Sequence, residues 1–345
     1  MYKLILDAMG GDNAPQAILD GAVAALQEYS DIFIYLGGKQ EVIQEHLAGK
    51  SYDASRVEIV DAREEIEMAE PPVKAVRTKK DASMVVGMQM AAEGKGDAFI
   101  TAGSTGAAVA GGTLIVRRAP GVLRPALAPV LPSAKGGVLL IDCGATAECT
   151  PEFLLQFAFM GSYYAKKMLG VSNPRVALLN IGAEDSKGTQ LQKDAYALLK
   201  KAGDAGYVNF IGNIEARGVP MGEADVVVSD GFSGNVLLKG IEGTALFMSG
   251  MMKDMFKKNL LTKLAALLCM DGVKAFKKKM DYRETGGPAL IGLNKPVIKA
   301  HGSSDALAIR NAIRQAIGAV EADVAGTLAA NIDHMVVPKE YQHAE

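Results

Sequence analysis

The sequence predicts an α/β protein with a mainly parallel sheet and helices on both faces. Two observations support this class. Short runs rich in Val, Ile and Leu alternate along the chain with longer segments of helical period, which is typical of parallel strands joined by helices. Four of these runs also end at small polar turns, and a helix-like pattern starts from each turn.

Nine apolar runs are predicted as strands because each is short, aliphatic and bounded by polar or turn-forming residues. In chain order they are KLILDA (3–8), IFIYLG (32–37), VEIV (57–60), DAFIT (97–101), GVLLID (137–142), RVALLNI (175–181), YVNFI (207–211), DVVV (225–228) and VIKA (297–300). The run from Ala126 to Leu131 differs, because Pro125, Pro129 and Pro132 each remove a hydrogen-bond donor from any ladder. We predict an edge strand or a crossing connection there.

The length of 345 residues allows one large core or two smaller cores that share a cleft. The turn at 103–106 and the segment 285–292 are candidate crossings between two lobes. We therefore predict a first α/β lobe from residues 1–105 and 290–345, and a second from residues 106–289.

Composition restricts the function classes. A net charge of −2 argues against a nucleic-acid binder, which usually carries a basic excess. The three cysteines form no CxxC pair and no metal-ligand cluster with the four histidines, so we predict a reducing compartment and no metal or other cofactor. The N-terminal strand leaves no room for a signal peptide, and no apolar run approaches the roughly 20 residues that span a bilayer. The sequence predicts a cytoplasmic protein, and contact with a membrane surface stays open.

The four polar turns carry the functional signal. They lie in KLILDAMGGD (3–12), DAFITAGSTG (97–106), ADVVVSDGFSGN (224–235) and PVIKAHGSS (296–304). Where such a turn starts a helix, backbone N–H groups and the positive end of the helix dipole converge, so each turn is a candidate anion site. Four such turns in one chain predict a cleft that handles phosphate.

A fifth turn lies in ALLNIGAEDSKGTQLQ (177–192). Its loop imitates a P-loop, but Lys187-Gly188-Thr189 reverses the required Gly-Lys-Ser/Thr order, so a P-loop is rejected. Lys187 at a helix start gains a favourable partner if an anion binds beside it, and the alternative is a solvated loop lysine. The predicted phosphate-binding residues of all the turns are Asp7, Gly10, Gly11, Asp12, Thr101, Ser104, Thr105, Asn180, Ser233, Asn235, Ser303 and Ser304.

Asp230 and His301 join Lys187 as candidate catalytic groups. Asp230 either holds N–H groups of a partner or closes its own turn, and His301 either titrates near neutral pH or is structural. Ser104 and Thr105 have the alternative of only capping a helix. No pairing nominates a protein nucleophile, so in an acyl transfer the attacking group would come from the substrate. Orthophosphate suits that role because it is anionic at pH 7.

The segment 251–280 is unusually basic. Residues 253–283 carry a net charge of +6 and the remainder carries −8. Apolar residues recur at helical spacing beside the lysines, which predicts one amphipathic helix that lies on an anionic membrane, receives an acidic protein, or packs on the core or a dimer mate. The predicted contact residues are Lys253, Lys257, Lys258, Leu260, Leu261, Lys263 and Leu264.

Taken together, DAMGGDNAP, TAGSTGA, GVLRPAL, LLNIGAEDSKG, GNIE, DVVVSDGFSGN and HGSSD resemble the phosphate acyltransferases of bacterial phospholipid synthesis, the PlsX family. The resemblance runs in matching order from Lys3 to about Ile317. It implies transfer of a fatty acyl group from acyl carrier protein to orthophosphate, giving an acyl phosphate for a membrane glycerol-3-phosphate acyltransferase. Two segments depart from the family pattern, Thr146 in DCGAT and Asn294-Lys295-Pro296.

The resemblance also implies a two-lobed αβα homodimer, similar to the isocitrate/isopropylmalate dehydrogenase and phosphotransacetylase group, with its site in the cleft. Because acyl carrier proteins are acidic, the lysines of 253–279 are candidate docking contacts, together with Arg117, Arg118 and Arg124. Two alternatives remain. One is a metal- and NAD-dependent decarboxylating dehydrogenase of similar fold, and the other is a non-catalytic membrane adaptor built around the segment 251–280.

Overall fold

The computed structural model describes residues 1–280 and 282–335 and contains two sheets. The first has seven strands in the order β3-β2-β1-β4-β12-β11-β5, all parallel to their neighbours except β11, which is antiparallel to both. Its strands are β1 (Tyr2–Asp7), β2 (Ile32–Gly38), β3 (Val57–Asp61), β4 (Ala98–Thr101), β5 (Ala126–Ala128), β11 (Ala289–Ile291) and β12 (Val297–Lys299).

The second sheet has five strands in the order β6-β7-β10-β8-β9, with only β6 antiparallel to its neighbour. Its strands are β6 (Val130–Ser133), β7 (Gly136–Ile141), β8 (Arg175–Asn180), β9 (Asn209–Glu215) and β10 (Val226–Val228). The predicted α/β class is thus confirmed, and so are the nine predicted strands, although β9 extends four residues beyond the predicted end. Strand β11 was not predicted.

The run at 126–131 supplies both alternatives that its prolines allowed. Its first half is β5, at one edge of the first sheet, and its second half begins β6, at one edge of the second. Pro129 lies between them, so the chain crosses from one sheet to the other at a residue with no N–H to donate.

Helices cover both faces of the sheets. The helices are α1 (Gln16–Glu28), α2 (Gln40–Leu47), α3 (Pro72–Thr78), α4 (Ser83–Ala92), α5 (Thr105–Gly111), α6 (Pro151–Met168), α7 (Gln190–Asp204), α8 (Gly231–Lys257), α9 (Leu260–Leu268), α10 (Met270–Met280), α11 (Ala306–Ala322) and α12 (Val324–Ala330). Over these described residues, no helix is both long and apolar enough to cross a lipid bilayer.

The two hydrophobic cores lie on opposite faces and each runs through both sheets. In β1, Leu4 and Leu6 face one core while Ile5 faces the other, as the period of two requires. The first core continues through α1, α6 and α11, and the second through α4 and α5. Because each core runs through both sheets, sheet membership does not define the two lobes. The predicted division at residues 105 and 290 therefore stays a prediction. Residues 336–345 of the predicted first lobe lie outside the described residues.

Candidate active site

Three of the four polar turns lie side by side because they follow neighbouring parallel strands. In the first sheet β4 lies between β1 and β12, so the turns after these strands leave the same edge. The Asp12 N–H donates to the carbonyl of Gly302 at 2.8 Å, which ties the first turn to the last. The Asn13 side-chain amide also donates to the carbonyls of Ser303 and Ser304 at 3.1 and 3.2 Å.

Asp7 and Thr101 support these turns from within. The Asp7 carboxylate accepts hydrogen bonds from the hydroxyls of Ser83 and Thr101, both at 2.6 Å, and the Gly103 N–H donates to the Thr101 hydroxyl at 2.9 Å. Burial raises the pKa of Asp7, and the two hydroxyl donors oppose that rise. The polar atoms of both predicted residues are thus used in positioning the turns, and direct contact with phosphate stays a prediction.

Gly10 permits the close approach of the first two turns. A Cβ at this position would lie 2.3 Å from Asp7 Oδ2 and 2.9 Å from the Gly103 nitrogen, so any larger residue would force the turns apart. Gly11 has a φ of 112°, a conformation that side chains rarely adopt. Both predicted glycines therefore have a steric reason to be glycine that is independent of any ligand.

In the second sheet, the turn after β10 begins α8. Asp230 is the N-cap of this helix, and its side chain accepts the Ser233 N–H at 2.8 Å. Ser104 likewise caps α5 by accepting the Ala107 N–H. The capping alternative is confirmed at these two positions, so the Asp230 carboxylate is engaged in its own turn and its catalytic role remains a prediction.

A second buried carboxylate, which the sequence did not indicate, joins the two sheets. Asp142 follows β7 and accepts backbone N–H groups from Cys143, Ala145 and Thr146 of its own loop at 2.7 to 3.0 Å. It also accepts the N–H of Leu127 in β5, at 2.7 Å. Burial raises the pKa of Asp142 to about 6, and these N–H donors oppose the rise. The carboxylate thus fixes the base of the cleft where the sheets meet.

Lys187 lies in the loop after β8, which neighbours β10. The Asn180 side-chain amide donates to the Lys187 carbonyl at 3.1 Å and so shapes this loop. The Lys187 side chain is exposed, and neither residue is among those that line the cavity described next. Their predicted roles in catalysis and phosphate binding remain untested.

A cavity of about 380 Å³ lies between the carboxyl ends of the two sheets. Four of the predicted catalytic and phosphate-binding residues line it: Thr105, Asn235, His301 and Ser304. Leu127, Leu131, Leu238 and Ile241 also line it, so the cavity combines a polar part with an apolar wall. Cys143 reaches it too, but this residue is buried, and burial raises the pKa of its thiol, which disfavours the nucleophilic thiolate.

The His301 ring is oriented by its own turn. Its Nδ1 accepts the Ser303 N–H at 3.2 Å and lies 2.8 Å from the Ser303 hydroxyl. An acceptor Nδ1 in a neutral ring places the proton on Nε2. Partial burial, followed by the charge of Lys239, lowers the pKa of His301, so the neutral ring that this geometry requires is favoured at pH 7.

Two lysines missed at the sequence level also line the cavity. Lys299 ends β12 and is 5% exposed, and burial lowers its pKa to about 8. Lys239, on α8, forms an ion pair with Glu242 at 2.7 Å. The signal for Lys299 was its place inside the apolar run VIKA, directly before the histidine turn.

The basic segment is not the single helix that we predicted. Helix α8 ends at Lys257, and α9 begins at Leu260 behind Asn259. Asn259 and Thr262 exchange hydrogen bonds in a capping box, with the Thr262 N–H donating at 2.9 Å and the Asn259 N–H at 3.0 Å. This cap starts a new helix and breaks the continuous apolar stripe that the spacing suggested.

The predicted contact residues of this segment are all exposed. Leu260 and Leu261, at the start of α9, are 82% and 78% exposed, and Leu264 follows at 55%. Lys253, Lys257, Lys258 and Lys263 are exposed around them. The predicted basic charge of residues 253–283 also counted Lys278 and Asp281, whose side chains lie outside the described residues.

Solved structures with the same fold include phosphotransacetylases. The phosphotransacetylase of Streptococcus pyogenes aligns with a TM-score of 0.60 at 18% identity, over 94% of each chain. The EutD phosphotransacetylase of Staphylococcus aureus aligns with a TM-score of 0.58 at 19% identity, over 93% of this chain and 94% of its own. This chain therefore has the α/β fold of the phosphotransacetylase group.

Sequence comparisons identify the family within that group. Residues 2–327 match the family model described as "Fatty acid synthesis protein". A phosphate acyltransferase of Alkaliphilus oremlandii is 51% identical over 91% of this chain and 92% of its own. One from Thermoanaerobacter pseudethanolicus is 48% identical over 96% and 98%. The chain therefore belongs to this family of phosphate acyltransferases, and the predicted resemblance is confirmed.

Proposed function

We propose that this enzyme transfers a fatty acyl group from acyl carrier protein to orthophosphate and so forms an acyl phosphate for phospholipid synthesis. Family membership supports the acyl transfer to phosphate. The observation that carries the finer proposal is the cavity, because its polar turns suit an anion while Leu127, Leu131 and Leu238 offer an apolar wall to an acyl chain.

The proposed reaction needs no nucleophile from the protein. An oxygen of hydrogen phosphate forms a bond to the thioester carbonyl carbon, the carbon–sulfur bond breaks, and the proton of the phosphate ends on the departing thiol. The protein has to align the two substrates and to donate hydrogen bonds to the oxyanion that develops. His301 lines the cavity with its proton on Nε2, and we assign it to orient the reacting groups or to manage that proton.

We assign phosphate binding and oxyanion stabilisation jointly to the turns after β1, β4, β10 and β12. Thr105, Asn235 and Ser304 are the predicted residues that line the cavity besides His301. Lys187 and Asp230 are retained as proposed catalytic residues from the sequence. For Lys187 this requires that its exposed loop approach the cleft when substrates bind.

The exposed surface of α9 and its flanking lysines is proposed as the contact with a partner. An acidic acyl carrier protein and an anionic membrane surface both suit exposed lysines, while Leu260, Leu261 and Leu264 favour insertion into a lipid interface. We propose a cytoplasmic homodimer that associates peripherally with the membrane. Its acyl phosphate product would pass to a membrane glycerol-3-phosphate acyltransferase.

Trapping the product tests the proposed reaction. The protein is incubated with an acyl-carrier-protein thioester and phosphate, and hydroxylamine then converts any acyl phosphate to a hydroxamate. We expect hydroxamate only when phosphate is present. Its absence with this donor, together with formation from an acyl-coenzyme A thioester, would reject the carrier protein as donor and keep acyl transfer to phosphate.

Variants test the assigned residues and the surface. His301→Ala and Lys187→Ala should lower turnover while the folded state persists, and Lys200→Ala, at an exposed lysine of α7, is the matched control. Wild-type rates in the first two would remove those residues from the mechanism. Neutralising Lys257, Lys258 and Lys263 should weaken binding to anionic vesicles or to carrier protein. If one of these partners binds the variant as tightly as it binds the wild type, that partner does not contact this surface.

A further inference from the structure

Lys299 is a buried lysine without a carboxylate partner. It is 5% exposed at the end of β12, and over residues 1–280 and 282–335 no carboxylate oxygen lies within 4.0 Å of its Nζ. Burying an ammonium group away from water is costly unless an opposite charge or hydrogen bonds compensate it. A lysine kept in such a place indicates an anion that arrives from outside the chain.

The hydrogen bonds of Lys299 leave one donor over. An ammonium group has three N–H donors. Nζ donates to the carbonyl of Ala102 at 3.3 Å and to the carbonyl of Ala300. Within the described chain the third donor has no acceptor, and since Lys299 lines the cavity, this donor is available to a group bound there.

Ser304 provides a second and independent sign of a missing partner. It is 2% exposed, and its Oγ has no hydrogen-bond partner in the described structure. Buried hydroxyls are nearly always hydrogen-bonded, so an unpartnered one on a cavity wall marks a ligand position. Ser304 lines the same cavity as Lys299 and lies just before α11, a helix of 17 residues.

We propose that Lys299 Nζ and Ser304 Oγ form the subsite that holds the phosphate dianion, with Lys299 supplying its positive charge. This inference rests on the proposed function and names the residues that would hold its acceptor substrate. Phosphate fits better than the carbonyl oxyanion, because phosphate carries its charge in the ground state and so compensates the buried ammonium continuously. The oxyanion exists only during the reaction.

The electrostatic surroundings agree with this assignment. Burial is the main cause that lowers the pKa of Lys299, Lys239 lowers it further, and Asp7 and Asp12 oppose the change. A bound dianion would raise that pKa again, because it favours the charged ammonium. Phosphate binding should therefore weaken as the pH rises above about 8, where the empty site loses its charge.

Direct binding of inorganic phosphate to the full-length protein without an acyl donor tests the subsite. Equilibrium dialysis with radiolabelled orthophosphate should show Lys299→Met weakened by about tenfold to a hundredfold, the loss expected for hydrogen bonds to a charged group. Ser304→Ala should weaken binding by about threefold to tenfold. Lys200→Met removes a lysine that is 61% exposed and should bind as the wild type does.

Two further measurements separate the subsite from folding and from the reaction. Lys299→Gln keeps a donor, removes the charge and should show the same loss, with circular dichroism reporting the folded state of each variant. Unchanged phosphate affinity in both Lys299 variants overturns the proposal, as does a wild-type protein that binds no phosphate. If phosphate binds as proposed but no acyl phosphate forms, the subsite stands and the proposed function fails. If acyl phosphate forms but the KM for phosphate is unchanged in Lys299→Met, the proposed function stands and the proposed subsite fails.

Discussion

Lys299→Met also gives a quantitative prediction for stability in phosphate-free buffer. The pKa of this lysine falls from its ordinary value of 10.5 to about 8 because the group is buried. Below pH 8 both the native and the unfolded chain carry the proton, so the native state bears the full cost of the buried charge. Each pKa unit corresponds to 1.36 kcal/mol, so this cost is about 3 kcal/mol.

The cost is relieved as the pH rises from about 8 to 10.5. In that window the native protein has released the proton while the unfolded chain still holds it, so stability rises with pH. The Met variant has no such group. The free energy of unfolding of the wild type, relative to that of Lys299→Met, should therefore increase by about 2–3 kcal/mol between pH 7 and pH 10.

Urea denaturation at several pH values measures this difference, and other titrating groups cancel because they are common to both proteins. Comparing pH values also removes the constant effect of leaving the carbonyls of Ala102 and Ala300 without a donor in the variant. Lys200→Met is the control, since an exposed lysine bears no cost of burial. A wild-type-to-variant difference that stays constant within about 1 kcal/mol from pH 7 to pH 10 would refute the reasoning. Added phosphate should stabilise the wild type at pH 7 more than the variant, because a ligand that binds only the native state shifts the equilibrium by mass action.

Two further predictions concern the packing and hydrogen bonds that support the cleft. Gly234→Ala should destabilise the protein by about 1–3 kcal/mol, because the new Cβ would lie 2.0 Å from a backbone oxygen after β7. A Cβ at Gly240, in the same helix, would meet nothing within 4 Å, so Gly240→Ala should be neutral or slightly stabilising. Thermal unfolding of the pair checks this, and equal melting temperatures would contradict it. Thr101→Val should lower stability by about 1–3 kcal/mol, because it removes a hydroxyl donor from the buried carboxylate of β1 and an acceptor from the next turn. Thr113→Val should cost less, because within the described residues this hydroxyl donates only to a carbonyl four residues earlier. The order of the two denaturation midpoints decides the point.

The fold was predictable from sequence because most of its strands are parallel and are joined by helices. Runs such as VVV at β10 and KLILD at β1 are apolar almost throughout, since helices cover both faces. The strand that escaped prediction, Ala289–Ile291, pairs antiparallel with both neighbours, and a short connection instead of a helix joins it to Val297–Lys299. The basic segment was predicted as one helix because periodicity continues across Asn259, and only the cap reveals the break.

The turns could be found from the sequence, but their assembly could not. Residues near 10, 103 and 302 meet because β4 lies between β1 and β12, and strand order across a crossover of some two hundred residues leaves no local pattern. Asp7 and Asp230 were predicted from their place in polar turns that follow apolar strands. The structure shows that their carboxylates bond to hydroxyls and N–H groups of the chain itself.

Lys299 escaped prediction although its place in the apolar run VIKA was a signal, because its residue type argues for an exposed side chain. A lysine at the end of a strand ordinarily reaches solvent with its charged end. Here β12 is a central strand whose three residues are all buried, so the side chain emerges beneath the cleft. A group that lowers stability by about 3 kcal/mol at neutral pH while its pKa is shifted toward neutrality has the properties expected of a functional residue. The stability cost and the proposed phosphate subsite therefore have one physical origin. The pH dependence of unfolding without phosphate measures the cost, and the phosphate-dependent stabilisation of the wild type over Lys299→Met measures the subsite.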